Sequence, residues 1–545
     1  MCRKFTPEEL NTMDIRQKDD VIFQMQDRLD KLEQDYERLV EQIRIANAQK
    51  FGRSREKLND LVGQLSFFNE AEACCDENAA EPAIDDVIDE SLRKPRKPKQ
   101  KGQREEDLKD FPQECHTHDV SKEKLDSTFG EGSWKSMPDE TYWQLRFEPA
   151  RWIAEKHVIK VYVGTGGLHQ DEFLRGDHPK TLFKGSIATP SIEAAIINSK
   201  YVNSMPLDRI SRDFQANGLH LSKQTISNWT VWSAERYFEP LYKFMKARQL
   251  QAHVNQCDET TVEVIHDGRP AGSKSYMWVH LTGELGPEPV IVVYEYQKTR
   301  HSDHPKEYYR DFEGVLVTDG LSQYHKIARE LEGLENANCW AHARRDFADA
   351  LKAIGKGNQK AIKSSIAYKA LLRIGTIYDL ENALKDLSPA ERLKERQASI
   401  RPLVEEYFAW VKETLNSNTL LPKGKTAEGL QYSINQEEYL RVFLTDGEIP
   451  IDNSASERAL RNFTIGRKNW MTINTIRGAE ASAVIYSITE TARANKLNVY
   501  YYIRYLLTEI PKLLDKNGNI EQSQLEQLAP WSKNLPVDCY SRRRS

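Results

Sequence analysis

Residues 259–265 (ETTVEVI), 275–282 (SYMWVHLT), 290–296 (VIVVYEY) and 315–318 (VLVT) decide the fold. All four are rich in β-branched and aromatic residues, and the first two flank a turn-forming stretch, DGRPAGSK (267–274). A polar stretch from His304 to Phe312 reads as helix, and helical sequence resumes near Cys339. Three strands, a helix, a strand and a helix is the order of a ribonuclease-H-like sheet. In that order the first and fourth strands are neighbours. Asp258 then falls at the start of the first strand and Asp319 at the end of the fourth.

One Asp at a strand end is commonly a turn cap, but two brought together from distant sequence are a different matter. Mg²⁺ (or Mn²⁺) is a hard ion that takes carboxylate oxygens together with substrate phosphate, and a pair of such ions clamps an in-line phosphoryl displacement. A third carboxylate is expected from a later helix. Asp452-Asn453-Ser454 is a capping sequence that would place Glu457 in a first helical turn. Glu457 follows Asp319 by 138 positions, too far for a loop. The Lys, Glu, Ala and Leu content of the stretch between them predicts a helical insertion over about 345–445. Downstream, Arg458, Arg461, Arg467, Lys468 and Arg477 form a basic run with Trp470 interleaved, suited to a phosphate backbone or, equally, to a solvated helix face.

Upstream of the strands, residues 206–232 read as a helix-turn-helix. Pro206 opens a helix through Leu207, Ile210 and Phe214, Asn217-Gly218 turns the chain, and Ser222 caps a second helix carrying Ile226 and Trp229. Lys223, Gln224, Thr225 and Asn228 remain outward on that second helix, where they can meet base edges or phosphates. A plain helical hairpin has the same pattern.

Near the start of the chain, Ile22, Met25, Leu29, Leu32, Tyr36, Leu39 and Ile43 alternate spacings of three and four, an a/d seam with charged flanks. So narrow a stripe predicts pairing with a second chain through a coiled coil. Residues 70–90 hold nine acids and no base, and residues 93–104 hold seven bases and no acid. Such blocks resist folding, so 70–110 reads as a charged disordered linker. In 111–175, residues 157–163 (HVIKVYV) alternate like a strand. Cys115, His116 and His118 lack a second pair at finger spacing, so zinc is not expected.

The 545 residues carry 77 bases and 82 acids, a net charge of −5. Overall basicity therefore cannot drive nucleic-acid binding, and positive charge must be segregated into patches. No apolar run has transmembrane length and no basic-then-apolar leader opens the chain, which predicts a cytoplasmic protein. The seven scattered cysteines read as reduced thiols.

With these residues in place, the chain resembles the insertion-sequence-66 family of DDE transposases (TnpC-type). The matching stretches are FGRSREKL (51–58), the helix-turn-helix region, CDETTVEV (257–264), VTDGLSQYHKI (317–327), CWAHARRDF (339–347) and DNSASERALRNFTIGRKNWM (452–471). IYSITETARANKLNVYYYIRYLL (485–507) and LAPW (528–531) complete the series. The resemblance implies DNA cutting and strand transfer, with Asp258, Asp319 and Glu457 as catalytic and metal-binding residues. It implies Mg²⁺ (or Mn²⁺), two ions, and support of the site by a Cys-x-x-His pair, Cys339 and His342. The implied partners are double-stranded DNA at element ends and in the target, a second copy of the chain, and helper proteins of the same element, in a bacterial, nucleoid-associated setting. The family's paired Cys-x-x-Cys motifs are missing here, so zinc is not carried over.

The expected architecture is multidomain α+β. A coiled-coil dimerisation region (1–69) and the linker (70–110) precede a small domain resembling a degenerate zinc-binding module (111–175). A helix-turn-helix DNA-binding region (176–245), a ribonuclease-H-like catalytic domain with its helical insertion (246–484) and a helical C-terminus (485–545) follow. Two other readings stay open at this point. One is a coiled-coil helix-turn-helix repressor or inactivated transposase relative without catalysis, and the other is a structure-specific nuclease that cuts without joining.

Overall fold

The computed structural model describes residues 181–540 except 271, 355–358 and 418–423, together with 153–163, 173–175, residue 123 and most positions between 14 and 29. The chain divides into two compact units, residues 68–179 and the remainder. In the smaller unit, β1 (Val161–Val163) and β2 (Phe173–Arg175) form an antiparallel pair. The alternating stretch expected as a strand over 157–163 thus joins a ladder only at its end. Cys115, His116, His118 and the 70–110 segment lie outside the described residues.

In the larger unit, β3 (Val254–His266), β4 (Lys274–Thr282), β5 (Val292–Gln297), β6 (Gly314–Thr318) and β7 (Leu334–Asn338) form a mixed sheet in the order β5-β4-β3-β6-β7. β3, β4 and β5 run antiparallel, while β3, β6 and β7 run parallel. The expected first and fourth strands are therefore side by side. β3 begins earlier than its sequence indicates, because His253 to Gln256 carry no apolar alternation and Asn255 and Gln256 are buried polar residues. Asp258 accordingly lies inside the strand. β7 (LENAN) and the short β8 (Ile473–Thr475), which pairs with the far end of β3, carry no strand-like run and are structural additions.

Both faces of the sheet are covered, as parallel strands require. Along β6, Leu316 enters one hydrophobic cluster and Val315 and Val317 the other. The first cluster holds the helices that precede β3: α1 (Pro190–Ile197), α2 (Leu207–Ala216), α3 (Lys223–Ser233) and α4 (Glu239–Gln249). Between β5 and β7 stand α5 (Asp303–Tyr308) and α6 (Ser322–Glu330). The second cluster is built from α7 (Trp340–Ile354), α8 (Ile366–Ala383), α9 (Arg401–Asn416) and α10 (Lys425–Asn435), which occupy the span expected as a helical insertion. α11 (Ser454–Trp470), α12 (Ile476–Ala494) and α13 (Val499–Leu513) return to the first cluster.

The α2–α3 hairpin forms as its turn chemistry dictates. Gly218 takes φ +84°, and the Ser222 hydroxyl accepts the Thr225 N–H at 3.1 Å. Ile210, Phe214, Ile226 and Trp229 are buried in the same cluster as the sheet, so the hairpin is part of this core. The described positions between Ile15 and Leu29 are helical, and Ile22, Met25 and Leu29 are exposed there. Leu32, Tyr36, Leu39 and Ile43 lie outside the described residues. Among the described residues the cysteines are free thiols, and no helix is long and apolar enough to cross a membrane.

Candidate active site

Parallel pairing sets the first two carboxylates. Gln256 is level with Val317, so two further residues along each strand bring Asp258 level with Asp319 where β6 ends. The exit turn is closed by Gly320 at φ +84°, where an added Cβ would stand 2.5 Å from the Tyr432 hydroxyl and 3.0 Å from Asn338 Nδ2. Asp319 Oδ1 accepts the Leu321 N–H at 3.0 Å, and Tyr432 donates to its carbonyl at 3.0 Å. Asp258 Oδ1 accepts the N–H of Glu259 at 2.8 Å.

Glu457 arrives from the first turn of α11, and the start of that helix is anchored by Asn453. The capping sequence works differently from its expectation. It is Asp452 Oδ1 that accepts the Ser454 N–H at 2.9 Å, whereas Asn453 uses its amide to bind the sheet. Buried Asn453 donates Nδ2–H to the Cys257 carbonyl at 2.8 Å and accepts from Gln256 Nε2 at 3.2 Å. Its own N–H points at Cys339 Sγ, 3.1 Å away. Cys339 is fully buried, its N–H donates to the Thr318 carbonyl at 3.0 Å, and burial pushes its thiol pKa up. A neutral, buried thiol here is a packing and hydrogen-bonding group. His342, in the first turn of α7, places Nε2 3.9 Å from Glu457. Burial, aided by the Arg345 charge, brings its pKa down to about 4.

The carboxylates feel one another. Burial first, then the negative charge of Glu259, with Asp319 and Glu457 adding to it, push Asp258 up to about 8 against the opposing backbone hydrogen bond. Glu259 is raised by burial and by Asp319, an effect offset by the Tyr324 hydroxyl (2.7 Å) and Arg300. Glu259, Tyr324, Arg300 and Arg345 were not signalled by the sequence as parts of a site, and Asn453 only as a helix cap; the adjacency of Glu259 to Asp258 could have pointed to Glu259. Among the described residues no three Asp, Glu, His or Cys side chains stand close enough as placed to hold a metal ion.

The residues expected at DNA scatter into distinct environments. Lys223 and Gln224 are exposed on α3, while Thr225 and Asn228 are half-buried, and Gln224 donates to Asn228 at 3.0 Å. Arg461 and Lys468 are exposed on α11. Arg458 is also exposed and forks onto Glu284 at 2.7 and 2.9 Å. Arg467 folds back on β3, donating to the Thr260 hydroxyl at 3.2 Å and to the Thr261 carbonyl. Trp470 packs edge-on against Phe463 at 5.6 Å with Lys200 over its ring, which makes it a packing residue of the α1–α11 side. Arg477 pairs with Glu235.

Comparison with known proteins matches residues 185–481 to the family described as Transposase IS66 family. Residues 487–531 match the IS66 C-terminal element, and residues 38–115 match a region described as Transposase C of IS166 homeodomain. The homeodomain match encloses the charged 70–110 segment and the end of the apolar seam. Three curated proteins of Sinorhizobium fredii are similar to this chain. Uncharacterized protein y4jD is 27% identical over 366 residues, 65% of this chain and 68% of the relative. Uncharacterized protein y4qI is 28% identical over 364 residues, 65% and 64% of the two chains. Uncharacterized protein y4hP is 27% identical over 352 residues, 63% and 62%. The matched part spans about two thirds of the length of each relative.

Proposed function

The chain belongs to the IS66 transposase family, and we propose that it is an active DNA transposase working through Asp258, Asp319 and Glu457. The observation that carries this reading is the meeting of Asp258 and Asp319 at the end of the parallel β3–β6 pair, with Glu457 close enough to raise the pKa of Asp258. The sheet order, with its antiparallel half ahead of its parallel half, supports a ribonuclease-H-like catalytic domain.

The donor set is all oxygen and its members repel one another, which is the chemistry a hard divalent cation relieves. Asp258, Asp319 and Glu457 would hold Mg²⁺ or Mn²⁺, two ions; bound there, they supply charge neutralisation at the phosphoryl oxygens and acidify the attacking hydroxyl. The chain's own residues do the positioning. Asn453 and Cys339 fix the start of α11, and with it Glu457, against β3. Arg458, Arg461 and Lys468 offer an exposed basic face for phosphates, and Lys223, Gln224, Thr225 and Asn228 present the α3 face to DNA. In the first step water attacks a phosphodiester at the element end, leaving a 3′-hydroxyl and a 5′-phosphate. In the second that 3′-hydroxyl attacks target DNA, joining one strand and releasing a target 3′-hydroxyl. A second copy of the chain, paired through the Ile22–Ile43 seam, and helper proteins of the same element complete the proposed assembly.

The test is a nicking and strand-transfer assay on DNA flanking the gene, with Mg²⁺ and then with EDTA. Asp258→Asn, Asp319→Asn and Glu457→Gln are each expected to lose on the order of 10³-fold or more in cleavage with DNA affinity retained. Metal-dependent nicking that survives Asp319→Asn would sink the reading. Binding with no cleavage by the parent protein would favour the repressor alternative, and cleavage without joining the nuclease.

A further inference from the structure

Glu457 has a cationic neighbour whose importance lies outside the carboxylate set. Its Oε1 is 3.5 Å from a terminal nitrogen of Arg345 and 3.9 Å from His342 Nε2, both on α7. The two side chains are 44% and 38% exposed, so the ion pair is open to a competing polyanion. Asp258 and Asp319 meet where β6 ends, and among the described residues no three ligating side chains stand close enough as placed to hold a metal ion. A guanidinium takes a phosphodiester in the same forked geometry as a carboxylate.

We propose that Arg345 is a positioning residue that holds Glu457 in the free protein and exchanges it for a backbone phosphate when DNA binds, so that DNA releases Glu457 to complete the set with Asp258 and Asp319. The inference rests on the transposase reading of this site and adds a mechanism of regulation to it. No covalent bond changes, only the partner of one guanidinium. Two consequences are fixed by linkage. DNA and divalent cation bind with positive coupling, and the coupling runs through Arg345.

The test is a Mn²⁺ titration of the full-length protein, followed by the electron-paramagnetic-resonance signal of free Mn²⁺. It is run with and without a duplex drawn from the DNA flanking the gene. In the parent protein the duplex is expected to tighten Mn²⁺ binding about tenfold. Arg345→Gln is expected to bind Mn²⁺ about fivefold tighter without duplex, the factor a half-exposed ion pair supports, and to gain about twofold or less from the duplex. Arg345→Lys keeps the charge and is expected to recover part of the coupling. Because any nearby cation repels Mn²⁺, the deciding comparison is Arg345→Gln in a Glu457→Gln background, where its effect should shrink to about twofold or less. The same fivefold gain in both backgrounds would mean that Arg345 acts only through its field, and the exchange would be wrong. Mn²⁺ binding that needs Asp258 but ignores Arg345 overturns the exchange alone. Mn²⁺ binding indifferent to Asp258→Asn overturns the metal reading and the exchange together. Thermal unfolding of each variant reports whether the fold is kept.

Discussion

Asp258 stands where burial and the charges of Glu259, Asp319 and Glu457 all oppose its ionisation, and its pKa is pushed up to about 8. The sign of the stability effect follows. Below about pH 4 the folded and unfolded chains both keep this proton, so the site costs nothing. As pH rises toward 8 the unfolded chain releases the proton and the folded one retains it, so folding is progressively penalised, by an amount on the order of a few kcal/mol. Asp258→Asn removes the penalty. Its melting temperature without metal is expected to exceed that of the parent, with the gap widening from pH 5 to 8 and then levelling; an Asn variant that melts lower at pH 9 would refute this. Asn453 shows the opposite economy. Asn453→Ala removes the side-chain donor to the Cys257 carbonyl and leaves Gln256 Nε2 only the Asp452 carbonyl, and it is expected to cost about 2–4 kcal/mol in urea unfolding, with loss of cleavage because Glu457 loses its anchor. The places of Asp319 and Glu457 in the fold were legible, because a strand end and a helix start are local signals, whereas Asp258, expected at a strand start, lies inside β3. Asn453 was legible only as a cap, since its binding partner lies 196 residues away.

At the scale of elements, α12 solves a problem that β5 creates. β5 is the edge of the sheet, and an open edge is a template for aggregation. Here the Val292 N–H donates to Thr491 Oγ1 at 2.9 Å, the Tyr294 N–H donates to Ser487 Oγ at 2.7 Å, and Thr491 donates back to the Val292 carbonyl at 3.0 Å. The hydroxyls of a buried helix thus complete a strand's ladder. Ser487→Ala and Thr491→Val are each expected to destabilise by about 1–3 kcal/mol, because each strands a buried N–H, and the double variant is expected to aggregate on heating. Unfolding midpoints within experimental error of the parent would refute this. That role was illegible beforehand: residues 485–497 read as helix, but nothing local tells which strand their Ser and Thr hydroxyls meet. β7 was missed for a related reason. Asn336 spends its amide on the Leu316 carbonyl and Thr318, so a buried strand carries residues that look like loop. The β3–β6 pairing was readable because element order alone makes those strands neighbours.

For the molecule as a whole, the exposed apolar positions near the start of the chain are where the proposed second copy would pack. Ile22, Met25 and Leu29 are 53%, 56% and 59% exposed on helical backbone, an arrangement that leaves apolar surface in water unless something covers it. Their spacing continues through Leu32 to Ile43 in strict alternation, and such a seam is buried by another helix of the same pattern. On the proposed transposase reading a second copy suits the chemistry, because two element ends would be held in one complex and a dimer would turn the second DNA contact into an intramolecular one. Replacing Leu29 and Leu32 with Lys places charge in the seam, where desolvation opposes it. The double variant is expected to be monomeric by light scattering and to bind paired ends less tightly. Its main unfolding transition should stay where it is, since Ile22, Met25 and Leu29, the seam residues among those described, enter neither hydrophobic cluster of the sheet and its helices. A double variant that keeps the parent's mass in solution would place the contact elsewhere, and one that lowers the main transition would mean that the seam packs on its own chain.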